Sequence, residues 1–193
     1  MTGGPSSENE LIRRARDGDE EAFAELVMLH ADRVQGALRR FGLDANEADE
    51  VAQEVFLRAW RGLPRFEGRA QFSTWLYRIA FNEAQRRLSR RAPSPVQADP
   101  ERGDPIVSLP ESPTLGPEAQ TLDREFEQTL ELALEQLPPE WRAAVVLRDI
   151  EGLSTHDAAD VVGIGEAAFK SRLHRGRMQL RALLEPYLAV EEG

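Results

Sequence analysis

The chain has 193 residues, 41% of them hydrophobic, and 24 Lys and Arg against 34 Asp and Glu give a formal net charge of -10. That length suits one ordinary domain or two small ones, and the apolar share allows compact cores but excludes a membrane protein. With no cysteine and only three scattered histidines, His30, His156 and His174, disulfides, thiolate metal sites and thiol redox sensing are excluded, and no metal or cofactor site is expected.

The first segment, MTGGPSSENELIRRARDGDEE, has no apolar core behind its charges, so no secretory signal is read there. Nor does any apolar run approach the roughly 18 residues that a membrane helix needs. The expected location is the cytoplasm, with no membrane insertion. From Leu11 to Phe41 apolar residues recur at helical spacing, at Phe23, Leu26, Val27, Val34, Leu38 and Phe41. Asp19 after Gly18 is a predicted N-cap, and Gly42 a predicted stop. A third helix begins near Asp44 and carries Val51, Val55, Ala59 and Leu63 on one stripe until Gly62 and Pro64 break it. The loop LPRFEGRAQ leads into a fourth helix, FSTWLYRIAFNEAQRRLSRR, with Phe72, Leu76, Ile79 and Ala80 on its buried side. Trp75 lies beside that stripe and is assigned to the core rather than to a stacking platform. Four helices thus make a first domain, residues 1–91.

Residues 92–120 change character: prolines every few residues, few aromatics and one arginine against five acids. This composition predicts a flexible acidic tether, with a strand only weakly signalled over 106–109. A second helical domain follows over residues 121–193. Leu122 to Leu137 is helical, and Pro139 opens a helix that runs through Trp141, Val145 and Leu147 to about Gly152. Ser154 caps a short helix to Val162, Gly163-Ile164-Gly165 makes a turn, and a longer helix starts near Glu166. A short helix, a glycine-bearing turn and a basic second helix make a helix-turn-helix. The predicted fold is therefore all-α: two small helical domains joined by a flexible acidic linker.

Two segments break the acidic balance. Residues 69–91 hold six arginines against Glu83 alone, and residues 170–181 hold five cations and no acid. Because salt limits the reach of distant acids to about 8–10 Å, such patches can attract phosphate in an acidic chain. At 100° per residue, Leu173, Gly176 and Leu180 fall on the same side as Phe169, which makes that side the core. The opposite face presents Ala167, Ser171, His174, Arg175 and Met178. Lys170, Arg177 and Arg181 lie on one flank and Arg172 on the other. A helix entering a major groove needs this division, with hydrogen-bonding side chains toward base edges and cations toward phosphates. His174, between Ser171 and Arg175, is accordingly read as a DNA contact, and His30 and His156 as structural.

Taken together these segments resemble the extracytoplasmic-function group of bacterial sigma-70 factors. ADEVAQEVFLRAW followed by FSTWLYRIAFNEAQRRL is similar to sigma region two, and LPPEWRAAVVLRDIEGLSTHDAADVVGIGEAAFKSRLHRGR to region four. The resemblance implies an alternative sigma factor that binds core RNA polymerase through its beta-prime and beta subunits and directs promoter-specific initiation. It implies that Asp49, Glu50, Gln53, Glu54, Leu57 and Trp60 dock the beta-prime coiled coil. It further implies that the loop with Arg65, Phe66, Arg69 and Gln71 captures an unstacked minus-ten base. Tyr77, Arg78, Phe81, Asn82 and Arg86 would then contact the separated strand, with Arg86 standing where the family often has an acid. Minus-thirty-five recognition falls to Lys170, Ser171, Arg172, His174, Arg175, Arg177 and Arg181. The same resemblance places the linker in the RNA-exit path and makes an anti-sigma protein the expected regulator. No nucleophile–histidine pair, glycine-rich phosphate loop or metal cluster is visible, so no catalytic residue and no small-molecule substrate are assigned. The rival reading, an operator-binding helix-turn-helix regulator, leaves the Asp49 to Trp60 face and the 69–91 patch without linked roles.

Overall fold

A computed structural model of the chain describes residues 7–91 and 122–188. The predicted linker, with its weak strand signal at 106–109, lies outside the described residues. Helix α1 (Glu8–Arg16) opens on Ser7. Asp19 caps α2 (Glu20–Arg40) by accepting the Ala22 amide at 3.0 Å. Asp44 and Glu47 form a reciprocal capping box at the start of α3 (Ala45–Gly62), so two amides that the helix cannot satisfy itself are bonded. The accepted backbone amides hold both cap carboxyls below the usual carboxylate range. Their stabilisation is therefore present at neutral pH and lost as pH falls through the lowered folded values. A 3-10 turn, Leu63–Arg65, then leads to α4 (Phe72–Arg91).

The second half holds α5 (Leu122–Glu135), α6 (Pro139–Val145), α7 (Thr155–Val162) and α8 (Glu166–Leu188). Instead of running straight to Gly152 as predicted, α6 passes at Val146–Ile150 into a π-helical turn, closed by the Glu151 amide on the Val146 carbonyl at 2.9 Å. Ser154 caps α7 through the Asp157 amide. Gly163 ends α7 at φ 74°, a left-handed conformation that glycine adopts without the steric penalty of a Cβ. No strand occurs among the described residues.

Packing follows the apolar stripes. Leu26, Leu38, Val55, Leu63 and Leu76 are fully buried between α1 and α4, and Leu147 and Phe169 anchor the second half. Burying one such side chain contributes about 1.5–3 kcal/mol relative to leaving it in water. The two halves do not stand apart. Helix α2 packs on α5 and α4 on α7, so the buried residues form one continuous cluster across both.

Candidate polymerase and nucleic-acid interfaces

The polar and apolar residues assigned to polymerase docking divide between two sides of α3. Asp49, Gln53, Leu57 and Trp60 border a groove of about 760 Å³ between α2 and α3, floored by Phe23, Val27 and Phe56. Its aromatic end is the Phe23–Trp60 pair, with ring centroids 4.9 Å apart. Leu57 stays 55% exposed, a large apolar side chain left in water at the mouth. Asp49 is held by Gln35 and lies 4.0 Å from Arg39. Glu50 and Glu54 face the other way, toward α4. Glu50 pairs with Arg87 at 2.5 Å, and Glu54 borders a second groove of about 780 Å³.

That second groove is cationic, lined by Arg58, Arg61, Arg86, Arg87 and Arg90. Within it sits Glu83, whose side chain is only 7% exposed and lies 3.0 Å from both Arg58 and Arg86. One buried carboxylate therefore fixes two guanidinium groups, one from each wall. The sequence shows Glu83 only as the single acid of a basic run; its burial follows from facing inward on α4, one turn after Ile79.

The predicted minus-ten residues separate into exposed and buried sets. Arg65, Arg69 and Gln71 are exposed on the loop, with Arg69 2.6 Å from Glu67. Phe66 instead is 9% exposed and packs on Phe72 and Trp75, at centroid distances of 5.9 and 5.0 Å. In this arrangement it anchors the loop instead of offering a free face to a base. Trp75, assigned to the core, is half-buried in the same aromatic cluster. Phe81 sits edge-on to Phe41 at 5.4 Å, while Asn82 is exposed between the two basic stretches.

Tyr77 departs furthest from expectation. It is 2% exposed, covered by the second half, and its hydroxyl donates to the Glu151 carboxylate. Burial first, and then the bond to Glu151, push the phenol well above the ordinary tyrosine range. Arg78, its neighbour, reaches Asp160 of α7 at 3.5 Å. Glu151 carried no signal of its own in the sequence except an acid at a helix C-terminus, where the dipole disfavours negative charge. An external partner is the usual compensation for that placement.

Helix α8 sits as the angular reading places it. Phe169 is fully buried and Leu173 6% exposed, and Gly176 lies flat against α6. On the other side Ala167 and Met178 are exposed, and Ser171, His174 and Arg175 are half-buried. The flanking cations are partly engaged: Lys170 lies 3.6 Å from Glu166, and Arg177 grips Asp149 of the π-helical turn at 2.9 and 2.5 Å. Arg172 is half-buried and Arg181 exposed. His30, read as structural, bonds Glu8 at 3.0 Å and packs edge-on to Phe72; His156 lies 3.1 Å from Glu166. Among the described residues no cluster of His, Asp or Glu is placed to hold a metal ion, and no helix is long and apolar enough to cross a membrane.

Comparison with known proteins matches both halves. The sigma-70 region 2 family model covers residues 26–93 and the sigma-70 region 4 model residues 127–180. The chain is 37% identical over 188 residues to the RNA polymerase sigma-H factor of Pseudomonas aeruginosa, spanning 94% of this chain and 95% of that protein. It is 31% identical over 176 residues to the ECF RNA polymerase sigma factor SigW of Bacillus subtilis, spanning 90% and 94%. Among solved structures, CnrH in complex with the cytosolic domain of CnrY superposes with a TM-score of 0.66 at 28% identity, over 94% of this chain and 99% of that one. The sigma factor RpoE bound to the anti-sigma factor NepR from Bartonella quintana gives 0.61 at 25% identity, over 84% and 96%.

Proposed function

The chain belongs to the extracytoplasmic-function group of the sigma-70 family, and on that premise we propose how the work of an alternative sigma factor is divided along it. Residues 1–91 dock core RNA polymerase and open the minus-ten element, residues 121–193 read the minus-thirty-five element, and residues 92–120 connect them. The α2–α3 groove is the polymerase seat. Its open apolar floor with Asp49 and Gln53 at the rim suits a partner helix that is apolar on one side and basic at its edge. Strand separation falls to the cationic α3–α4 groove with Arg86 and to the exposed Arg65, Arg69, Gln71, Arg78 and Asn82. Groove reading falls to α8 through Ser171, His174 and Arg175, with Arg172 and Arg181 toward phosphates.

One observation carries this reading: region 2 and region 4 matches lie in order on a single chain, each over a surface of the required chemistry. The protein performs no reaction of its own, acts in the cytoplasm where the polymerase is, and is restrained by an anti-sigma protein. That last point rests on the complexes in which CnrH and the Bartonella quintana RpoE were solved. The test is transcription in vitro. Core enzyme plus this chain should initiate from a promoter that core enzyme alone ignores, and the purified chain alone should bind that duplex weakly. Tight, specific duplex binding without core enzyme, and no initiation with it, would favour an operator-binding regulator.

A further inference from the structure

Each ion pair that joins the two halves has its base on the first and its acid on the second. Arg33 and Arg40 approach Glu151 at 3.4 and 3.7 Å, Arg40 also meets Glu131 at 2.8 Å, and Arg78 meets Asp160 at 3.5 Å. Glu151 is the centre of this set. Its side chain is 4% exposed, and it takes the Tyr77 hydroxyl as well, while its carbonyl accepts from Arg33 at 3.1 Å. A carboxylate so buried costs several kcal/mol unless it is partnered. All these partners lie in the other half, on α2 and α4, so the docked state satisfies a group that separation would return to water. At the far end of the same interface the turn Gly163 to Gly165 closes over Arg78 and Asn82.

We propose that Glu151 and Asp160 form an internal latch, which holds the two halves closed and masks the strand-separating face of α4 in the free chain. The chemistry is competition between anions. Asp160 occupies the guanidinium that a phosphodiester would occupy, and Glu151 holds Tyr77 beneath the second half, out of reach of a base. The acidic surface of one half thus stands in for nucleic acid against the other, and DNA can reach Tyr77 and Arg78 only after the latch opens. The masking rests on the minus-ten assignment proposed above; the latch itself does not.

The absence of cysteine makes the test direct. Leu29→Cys on α2 and Leu132→Cys on α5, both exposed, take a donor and an acceptor dye on the full chain, and energy transfer reports the separation of the halves. Glu151→Gln with Asp160→Lys should lower transfer while circular dichroism retains the helicity. Asp160→Lys alone, at a 53% exposed side chain, should lower it partly and guards against a folding defect at Glu151. Binding of a labelled mixed-sequence single-stranded DNA should tighten about tenfold in the double variant. That is the gain when a competent state held near a tenth of the population becomes the main one. Unchanged transfer in a fully helical double variant would overturn the latch. Lowered transfer with unchanged DNA binding would overturn the masking. If the double variant opens but neither it nor the wild type initiates transcription with core enzyme, the sigma reading fails and the latch stands.

Discussion

Gly176→Ala puts a single carbon where α8 meets α6. An added Cβ would lie 2.8 Å from a Val145 methyl and 3.0 Å from the Trp141 carbonyl oxygen. Carbon atoms prefer roughly 3.5–4.0 Å, and neither neighbour can yield easily, because valine is stiff at χ1 and the oxygen belongs to the backbone. Helix α8 must therefore retreat by about 0.5–1 Å, a gap that forfeits a quarter to a half of each contact it opens around Phe169 and Leu173. Overpacking of this kind costs about 1–3 kcal/mol. Alanine returns up to about 1 kcal/mol of helix propensity. The net expectation is a loss of about 1–2 kcal/mol, or roughly 2–8 °C in Tm for a chain of this size. Gly36→Ala is the matched control, since its Cβ meets only the mobile tip of Arg40 at 3.2 Å; it should stabilise by about 0.4–1 kcal/mol. Thermal and urea unfolding followed by circular dichroism would read both. A neutral or stabilising Gly176→Ala would refute the close seat of α8 and, with it, the outward face assigned to His174 and Arg175.

Asp49→Arg and Glu54→Arg probe different grooves: the reversal at Asp49 should weaken core polymerase binding, most at low salt, with helicity retained, and an effect confined to Glu54→Arg would move the docking seat to the α3–α4 side. His174→Ala or Arg175→Ala should cost discrimination among minus-thirty-five sequences by about 1–3 kcal/mol at the affected position. Arg181→Ala should weaken all sequences alike and lower the salt slope by about one unit, whereas Arg177→Ala, already engaged by Asp149, should change the slope less; competition binding at several salt concentrations separates these. Tyr77 should titrate above the ordinary tyrosine range, so the stability carried by its neutral phenol is full below about pH 10 and is lost as pH rises through the raised folded value. Ultraviolet titration in a Tyr187→Phe background isolates it, and Glu151→Gln should bring the midpoint down.

Features set by short-range chemistry were legible in the sequence. Asp19 and Ser154 each bond an amide three residues on, within reach of a reading that sees only neighbours. The α8 seam through Phe169, Leu173 and Gly176 follows from helical period alone. The same arithmetic applied to α3 separates Asp49, Gln53 and Trp60 from Glu50 and Glu54; grouping them by family motif obscured a division already present in their spacing. Other features depend on contacts between distant segments. Tyr77 meets Glu151 across 74 positions and Arg78 meets Asp160 across 82, and no local pattern distinguishes an aromatic that waits for a base from one covered by another helix. Phe66 reads as a loop aromatic until Phe72 and Trp75 are folded against it.

The π-helical turn at Val146–Ile150 makes the aim of Glu151 a matter of chain length as well as composition. A ring closed from residue 146 to residue 151 holds one residue more than an α-helical ring. Deleting a single residue within that turn would let α6 continue at ordinary pitch and rotate the chain beyond it by about 100°, carrying the carboxylate round the axis away from Tyr77. Composition, charge and the apolar stripe would survive almost intact, while the meeting of the two halves would lose its register. For this segment, aligned length is as informative as residue identity, and a relative one residue shorter here should be expected to dock its halves differently or to leave them apart.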